Sequence, residues 1–200
     1  MTVLFLRHGE SEGNVLRAIQ GWHDYPLTER GHRQASYAAS RLASSGASTL
    51  YTSPLRRAAD TAAAVAAATG LVPIETPDFR EYCFGEAQGM RWVEAAAKWG
   101  LADHDWGVGK VPGEEGMEAF RARVARQFEA VLDAHEDDLA ISVLHAGTLG
   151  AIVEYVCGMP LHEHAALFTG NCGIAVMRRV DGAASIVTLN DQRHIPAEDR

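Results

Sequence analysis

Short, wholly apolar runs alternate along the chain with stretches whose apolar positions recur every three or four residues. Val3-Leu4-Phe5-Leu6 is such a run and reads as a buried strand. Residues 9 to 27, rich in Gly, Ser, Asn and Asp, keep no regular period and read as a loop, of a length more often functional than idle. Thr28 predicts the N-cap of a helix running to about Ser45, with Gly46 as its stop. Ser48 to Thr52 reads as a second strand. Ser53-Pro54 then reads as a cap followed by proline at the first helical position, for a helix from Pro54 to Thr69 that ends at Gly70. Strand, helix, strand, helix is the βαβ alternation of a parallel sheet with helical crossovers. Val72 to Gly89 reads as irregular, residues 90 to 100 as helical, and Gly107 to Gly116 as a glycine-rich loop. Phe120, Val124, Phe128, Val131 and Leu132 keep helical spacing and predict a long helix from Glu118 to His135. Leu139 to Leu144 is another buried strand, followed by a helix from about Thr148 to Cys157. Asn171 to Val180 and Ala184 to Leu189 read as closing strands, joined by a hairpin around Asp181-Gly182. With no linker or repeat, one domain is expected over residues 1 to 200.

Composition narrows the function classes. A chain of 200 residues with a net charge of −8 lacks the basic surface that nonspecific nucleic-acid binding requires. A local pair of arginines can still hold a small phosphorylated substrate, whatever the total charge. No apolar stretch is long enough to span a membrane, so no membrane partner and a cytoplasmic location are expected. The three cysteines, Cys83, Cys157 and Cys172, have no CxxC spacing and read as reduced thiols. Among the nine histidines, His162 and His164 lie two apart, and with neither HExxH nor a Cys/His cluster in the sequence, no metal and no cofactor are expected. Oligomeric state stays open, a homodimer included.

Candidate chemistry sits where apolar runs end. Val3 to Leu6 runs straight into Arg7-His8-Gly9, and Leu139 to Leu144 into His145-Ala146-Gly147-Thr148; the strand at Thr52 is followed by Ser53 and then by Arg56-Arg57. Open α/β sheets bind ligands just past the carboxyl ends of their strands. On Arg7-His8-Gly9 alone, a strand followed by a polar turn with a structural histidine stands level with a ligand site. If the three strands are neighbours, His8, His145, Arg7 and one of the two arginines converge with a helix N-terminus, which makes a phosphate site with a nucleophile in it.

The residues also carry a resemblance. Arg7-His8-Gly9-Glu10-Ser11-x-x-Asn14 resembles the signature of the histidine phosphatase superfamily, which includes the cofactor-dependent phosphoglycerate mutases. Further blocks follow in the family's order: Gln20-Gly21-x-x-Asp24-x-Pro26-Leu27-Thr28-Glu29; Ser53-Pro54-Leu55-Arg56-Arg57-Ala58-x-x-Thr61; His145-Ala146-Gly147-Thr148; and Leu189-Asn190-Asp191-x-x-His194. The resemblance implies a phosphoglycerate mutase-like fold, a three-layer α/β/α sandwich with a mostly parallel central sheet. It also implies that His8 attacks phosphorus, that Arg7, Arg57 and His145 hold the peripheral oxygens, and that Glu81 exchanges protons with leaving group and water. Asn14 matches a further phosphate-contacting position, and Gln20, Gly21 and Ala146 belong to the matched blocks around the substrate. A backbone carbonyl is expected to hold the second nitrogen of His8.

Other residues carry blander readings. Arg56 reads as solvated, and His23, His32, His104, His135, His162 and His164 as surface or structural. Glu86 is a weaker rival to Glu81, while Trp22, Tyr82, Phe84 and Trp106 read as core or rim rather than substrate contacts. The mutase branch carries a Tyr-Tyr-Gly-x-Leu-x-Gly-Leu-Asn-Lys-like block after its acid. Tyr82 to Arg91 lacks that asparagine and lysine, which favours hydrolysis of a small phosphorylated metabolite by a phosphomonoesterase. Pro112-Gly113-Glu114-Glu115-Gly116 only partly matches the Pro-Gly-Gly-Glu-Ser block of the phosphatase branch, so substrate contacts there are open. The alternatives are a phosphoglycerate mutase and a non-catalytic phosphate-binding protein on the same fold.

Overall fold

A computed structural model describes residues 2–102, 107–160, 167 and 169–200. Its first strand, β1 (Thr2–Arg7), has Val3 and Phe5 on one face and Leu4 and Leu6 on the other, so each face of the sheet needs a covering layer. After β1 come α1 (Glu12–Val15), α2 (Glu29–Leu42), β2 (Thr49–Thr52), α3 (Arg56–Thr69), β3 (Pro73–Glu75), α4 (Trp92–Trp99), α5 (Met117–Ala134), β4 (Leu139–Leu144), α6 (Ala146–Val156), β5 (Ile174–Val180) and β6 (Ala183–Asp191). The strands form one sheet in the order β3-β2-β4-β1-β5-β6. From β3 to β1 the pairing is parallel; β5 and β6 are antiparallel additions, which gives the mostly parallel sheet expected.

Two apolar clusters sandwich this sheet. Phe120, Val124, Phe128 and Leu132 of α5 and Leu149 and Ile152 of α6 pack with Val3, Phe5, Ala140 and Leu144. On the opposite face, Ala35, Ala38 and Leu42 of α2 and Ala58, Ala62 and Val65 of α3 pack with Leu6, Leu50, Ile141 and Val143. The α3 face is built of alanines, and small side chains there let the helix lie close to the strands. The β5–β6 turn falls on Asp181-Gly182 as expected, both with positive φ (51° and 81°), the backbone sense that matches strand twist in a two-residue hairpin.

The departures from the sequence reading lie mostly at the sheet's carboxyl edge. Ser53 does not cap α3: the chain bends at Pro54-Leu55, Leu55 is the N-cap with no side-chain cap, the helix starts at Arg56, and the Ser53 hydroxyl meets His145. Helix α6 starts at Ala146, two residues before Thr148, which makes His145 its N-cap. Residues 171–173 fold back on the tip of β1 before β5 begins at Ile174. Inside the loop 9–27, Ser11 caps the single turn of α1. The irregular stretch 72–89 holds the edge strand β3 and two 3-10 turns. Among the described residues no helix is long and apolar enough to cross a membrane.

Candidate active site

Register brings the strand ends together. Arg7 of β1 lies opposite Leu144 of β4, and Thr52 of β2 opposite Val143, so His8, His145 and Ser53 leave three adjacent strands at one edge. The His8 N–H donates to the Leu144 carbonyl at 2.9 Å, and the two imidazole centroids are 5.2 Å apart. Nδ1 of His8 lies 2.7 Å from the Gly9 carbonyl oxygen. A carbonyl only accepts, so Nδ1 carries the proton and Nε2 keeps its lone pair, the tautomer a nucleophile needs. Burial above all, and then the Arg57 and Arg7 cations, hold the His8 imidazole well below its ordinary range, and it is neutral near pH 7.

His145 is fully buried, and its Nε2 lies 2.8 Å from the Ser53 hydroxyl. This is the hydroxyl that the sequence reading assigned to a helix cap; only the order of the strands shows that it faces His145. Burial, then Arg57 and His8, also keep the His145 ring neutral. The guanidinium of Arg57, on the first turn of α3, donates to the carbonyls of Gly21 at 2.8 Å and His23 at 3.2 Å. Burial brings it down to about 10, and it remains a cation at neutral pH. Arg7 donates to the Thr169 carbonyl. Among the described residues, Nε of Arg7, Nε of Arg57 and Nδ1 of His145 are buried with no hydrogen-bond partner.

Glu81 completes the group from a loop. Its Oε1 accepts the Tyr82 N–H at 2.8 Å and its Oε2 the Gly147 N–H at 2.9 Å, in the first turn of α6, where backbone donors have no helical partners. A Cβ on residue 147 would stand 2.2 Å from Oε1, so the carboxylate can reach the helix end only over a glycine. The earlier start of α6 is what aims this N–H at Glu81.

A pocket of about 390 Å³ is lined by Arg7, His8, Asn14, Gln20, Arg57, Glu81 and Ala146 at its polar end and by Ala18, Ile19, Phe84 and Trp92 elsewhere. Two of the residues singled out from the sequence stand behind this lining: His145 lies beside His8, and Gly21 gives its carbonyl to Arg57. Phe84 is in the wall, and so is Trp92, which the sequence did not mark. Tyr82 is buried against Glu114, and Trp22 bonds the loop backbone at Glu81. Glu86 is outside, near Lys98, and Arg56 is exposed beside Asp60. His135 is structural, fixed between Asp138 and Tyr51. His104, Trp106, His162 and His164 lie outside the described residues. The closing block braces the site from the far edge: Asn190 Oδ1 accepts the Gly170 N–H, Gln192 donates to the Asn171 carbonyl, and Asn171 donates to the His8 carbonyl. No group of three or more His, Cys, Asp or Glu side chains among the described residues is placed to hold a metal ion.

The model of the histidine phosphatase superfamily (branch 1) matches residues 3–192. The chain belongs to that superfamily. Among its relatives is a protein of Serratia proteamaculans named probable phosphoglycerate mutase GpmB, 32% identical over 219 residues that cover 100% of this chain and 98% of the relative. Bacillus stearothermophilus YhfR superposes with a TM-score of 0.90 at 26% identity, covering 98% of this chain and 99% of the other. A mycobacterial glucosyl-3-phosphoglycerate phosphatase, solved with VO3, gives 0.85 at 28% identity, with 96% and 99% covered.

For this histidine phosphatase superfamily member, two neutral buried imidazoles make stability depend on pH. Below about 6.5 the unfolded chain binds a proton at each ring that the folded chain excludes, so stability falls as the pH falls. The loss is at most about 1.4 kcal/mol per pH unit for each ring. Urea unfolding between about pH 7 and pH 5.5, above the carboxylate range, measures it. Constant stability across that window would contradict the two buried neutral rings.

Proposed function

We propose that this chain is a phosphomonoesterase that hydrolyses a small phosphorylated metabolite through a phosphohistidine on His8. One observation carries the reading: a neutral His8 with Nδ1 tied to Gly9 and Nε2 free lines the same pocket as Arg7, Arg57 and a carboxylate. Nε2 attacks phosphorus, the bond to the leaving oxygen breaks, and Glu81 gives that oxygen its proton. Glu81 then takes a proton from water, whose oxygen attacks phosphorus and breaks the P–N bond, returning His8 to its starting state. Arg7 and Arg57 hold the peripheral oxygens, where transition-state charge sits, while His145 stays behind the lining beside His8; Asn14 adds a contact. Its Oδ1 already receives Ser11 and Asn171 donors, which leaves its NH₂ for an anion. Gln20 and Ala146 meet the rest of the substrate, and Gly21 acts through Arg57.

Hydrolysis is preferred over transfer for two reasons. Residues 82–91 lack the asparagine and lysine of the mutase block. Among the described residues lining the pocket, the fixed cations are Arg7 and Arg57, a pair matched to one phosphate rather than to a bisphosphorylated intermediate. The solved glucosyl-3-phosphoglycerate phosphatase supports the same side. The name carried by the Serratia relative favours a phosphoglycerate mutase instead.

The test is phosphate release from sugar phosphates, glycerates, nucleotides and p-nitrophenyl phosphate, with a chelator present. Release from at least one ester, undiminished by the chelator, is expected. Isomerisation of 3-phosphoglycerate only when the bisphosphate is supplied would replace this reading with the mutase; phosphate binding without turnover would replace it with a binding protein.

A further inference from the structure

Glu81 sits on a stretch whose only regular structure is two short 3-10 turns, Pro77–Phe79 and Gly85–Ala87, yet its role needs a carboxyl held within a fraction of an ångström. The backbone that carries it is gripped from α5 by Arg123, a buried arginine outside the pocket lining. Nη1 donates to the carbonyls of Asp78 and Arg80, both at 2.8 Å, and Nη2 to the Glu81 carbonyl at 2.9 Å. The remaining donors go to Glu115, Nε at 2.9 Å and Nη2 at 2.8 Å. All five N–H groups of the guanidinium are thereby used, three of them on the backbone between Asp78 and Glu81. Glu115 extends the grip by accepting the Cys83 N–H at 2.7 Å. From the other side, the Trp22 indole N–H donates to the same Glu81 carbonyl at 2.7 Å, and the Arg80 guanidinium lies 3.8 Å over the Trp22 ring.

We propose that Arg123 is the positioning residue of Glu81: its fork fixes the loop backbone so that the carboxyl meets the leaving oxygen, with the Trp22 indole as the second hold. The inference rests on the reading of Glu81 as the proton donor. A lysine cannot copy a five-donor fork, but it keeps a positive charge in place. R123K therefore separates positioning from the charge that Arg123 directs at His145.

The readout is leaving-group dependence. p-Nitrophenolate departs without a proton, whereas phenolate, whose parent acid titrates near 10, needs one far more. The ratio kcat/KM reports steps only as far as phosphohistidine formation, so a defect in the later water step does not enter it. R123K is expected to lower kcat/KM for phenyl phosphate by about 10–100-fold, part of the 10²–10⁴ that general acid catalysis supplies, and for p-nitrophenyl phosphate by no more than about 3-fold. W22F should show the same pattern at smaller size, and it decides the matter if R123K does not fold. Equal losses on both esters, or none on either, in a folded variant overturn the inference while leaving the phosphatase reading intact. A wild-type protein that releases phosphate neither from these two esters nor from any ester of the panel above overturns the phosphatase reading and the inference with it.

Discussion

H8A is expected to lower phosphate release by about 10⁴–10⁶-fold, the range seen when a catalytic nucleophile is removed, and to abolish acid-labile labelling of the protein by substrate phosphate. The reason is specific to this ring. Its Nδ1 is committed to Gly9, so only Nε2 can reach phosphorus, and no other neutral imidazole lines the pocket among the described residues. His145 cannot take over, because it is buried behind that lining with Nε2 against Ser53. A loss of less than tenfold would sink the nucleophile assignment. Rapid-quench labelling separates the two states of the enzyme: the wild type should carry phosphate that acid removes and alkali leaves. The same substitution gives an internal check on folding, since the unfolded chain then has one fewer ring to protonate, and the dependence of stability on pH between 5.5 and 7 should weaken by about half of the part set by the two rings.

Much of this geometry is legible in the sequence because it depends on strand ends. An apolar run long enough for one strand, followed without a break by Arg7-His8 or by His145, locates a side chain at the sheet's carboxyl edge before any topology is known. What the run cannot give is which strands are neighbours, and the role of Ser53 depends wholly on that. Read locally, Ser-Pro ahead of an alanine-rich segment is a helix start; the observed hydroxyl instead meets His145, a residue 92 positions away in the chain. The two-residue error at the start of α6 has a similar origin. Gly147 is a poor helix former, but it is needed there because a Cβ would run into the Glu81 carboxylate. Trp92 and Arg123 left no mark at all. Each reads as an ordinary helical residue, and each gains its place only through loops at 80–91 and 107–116, whose paths are set by long-range hydrogen bonds such as Tyr82 to Glu114.

Replacing Arg57 tests the electrostatics that connect these residues. R57M is expected to lower kcat/KM by about 10³–10⁵-fold, the span associated with removing an arginine from a phosphoryl-transfer site. The rate alone does not isolate the phosphate contact, since Arg57 also satisfies the carbonyls of Gly21 and His23, and losing it frees the loop that ends in the pocket wall. The pH profile does. After burial, the Arg57 cation is the largest influence holding His8 and His145 below their ordinary range. Without it both rings bind protons more readily, so the acid limb of kcat/KM, where His8 protonates and stops being a nucleophile, should move to higher pH in R57M. R57K restores the charge without the fork, so its acid limb should return toward the wild-type position while much of the rate defect persists. A large rate loss in R57M with the acid limb unmoved would mean that Arg57 acts only by holding residues 21–23, and the cluster of cation and neutral imidazoles would lose its electrostatic coupling.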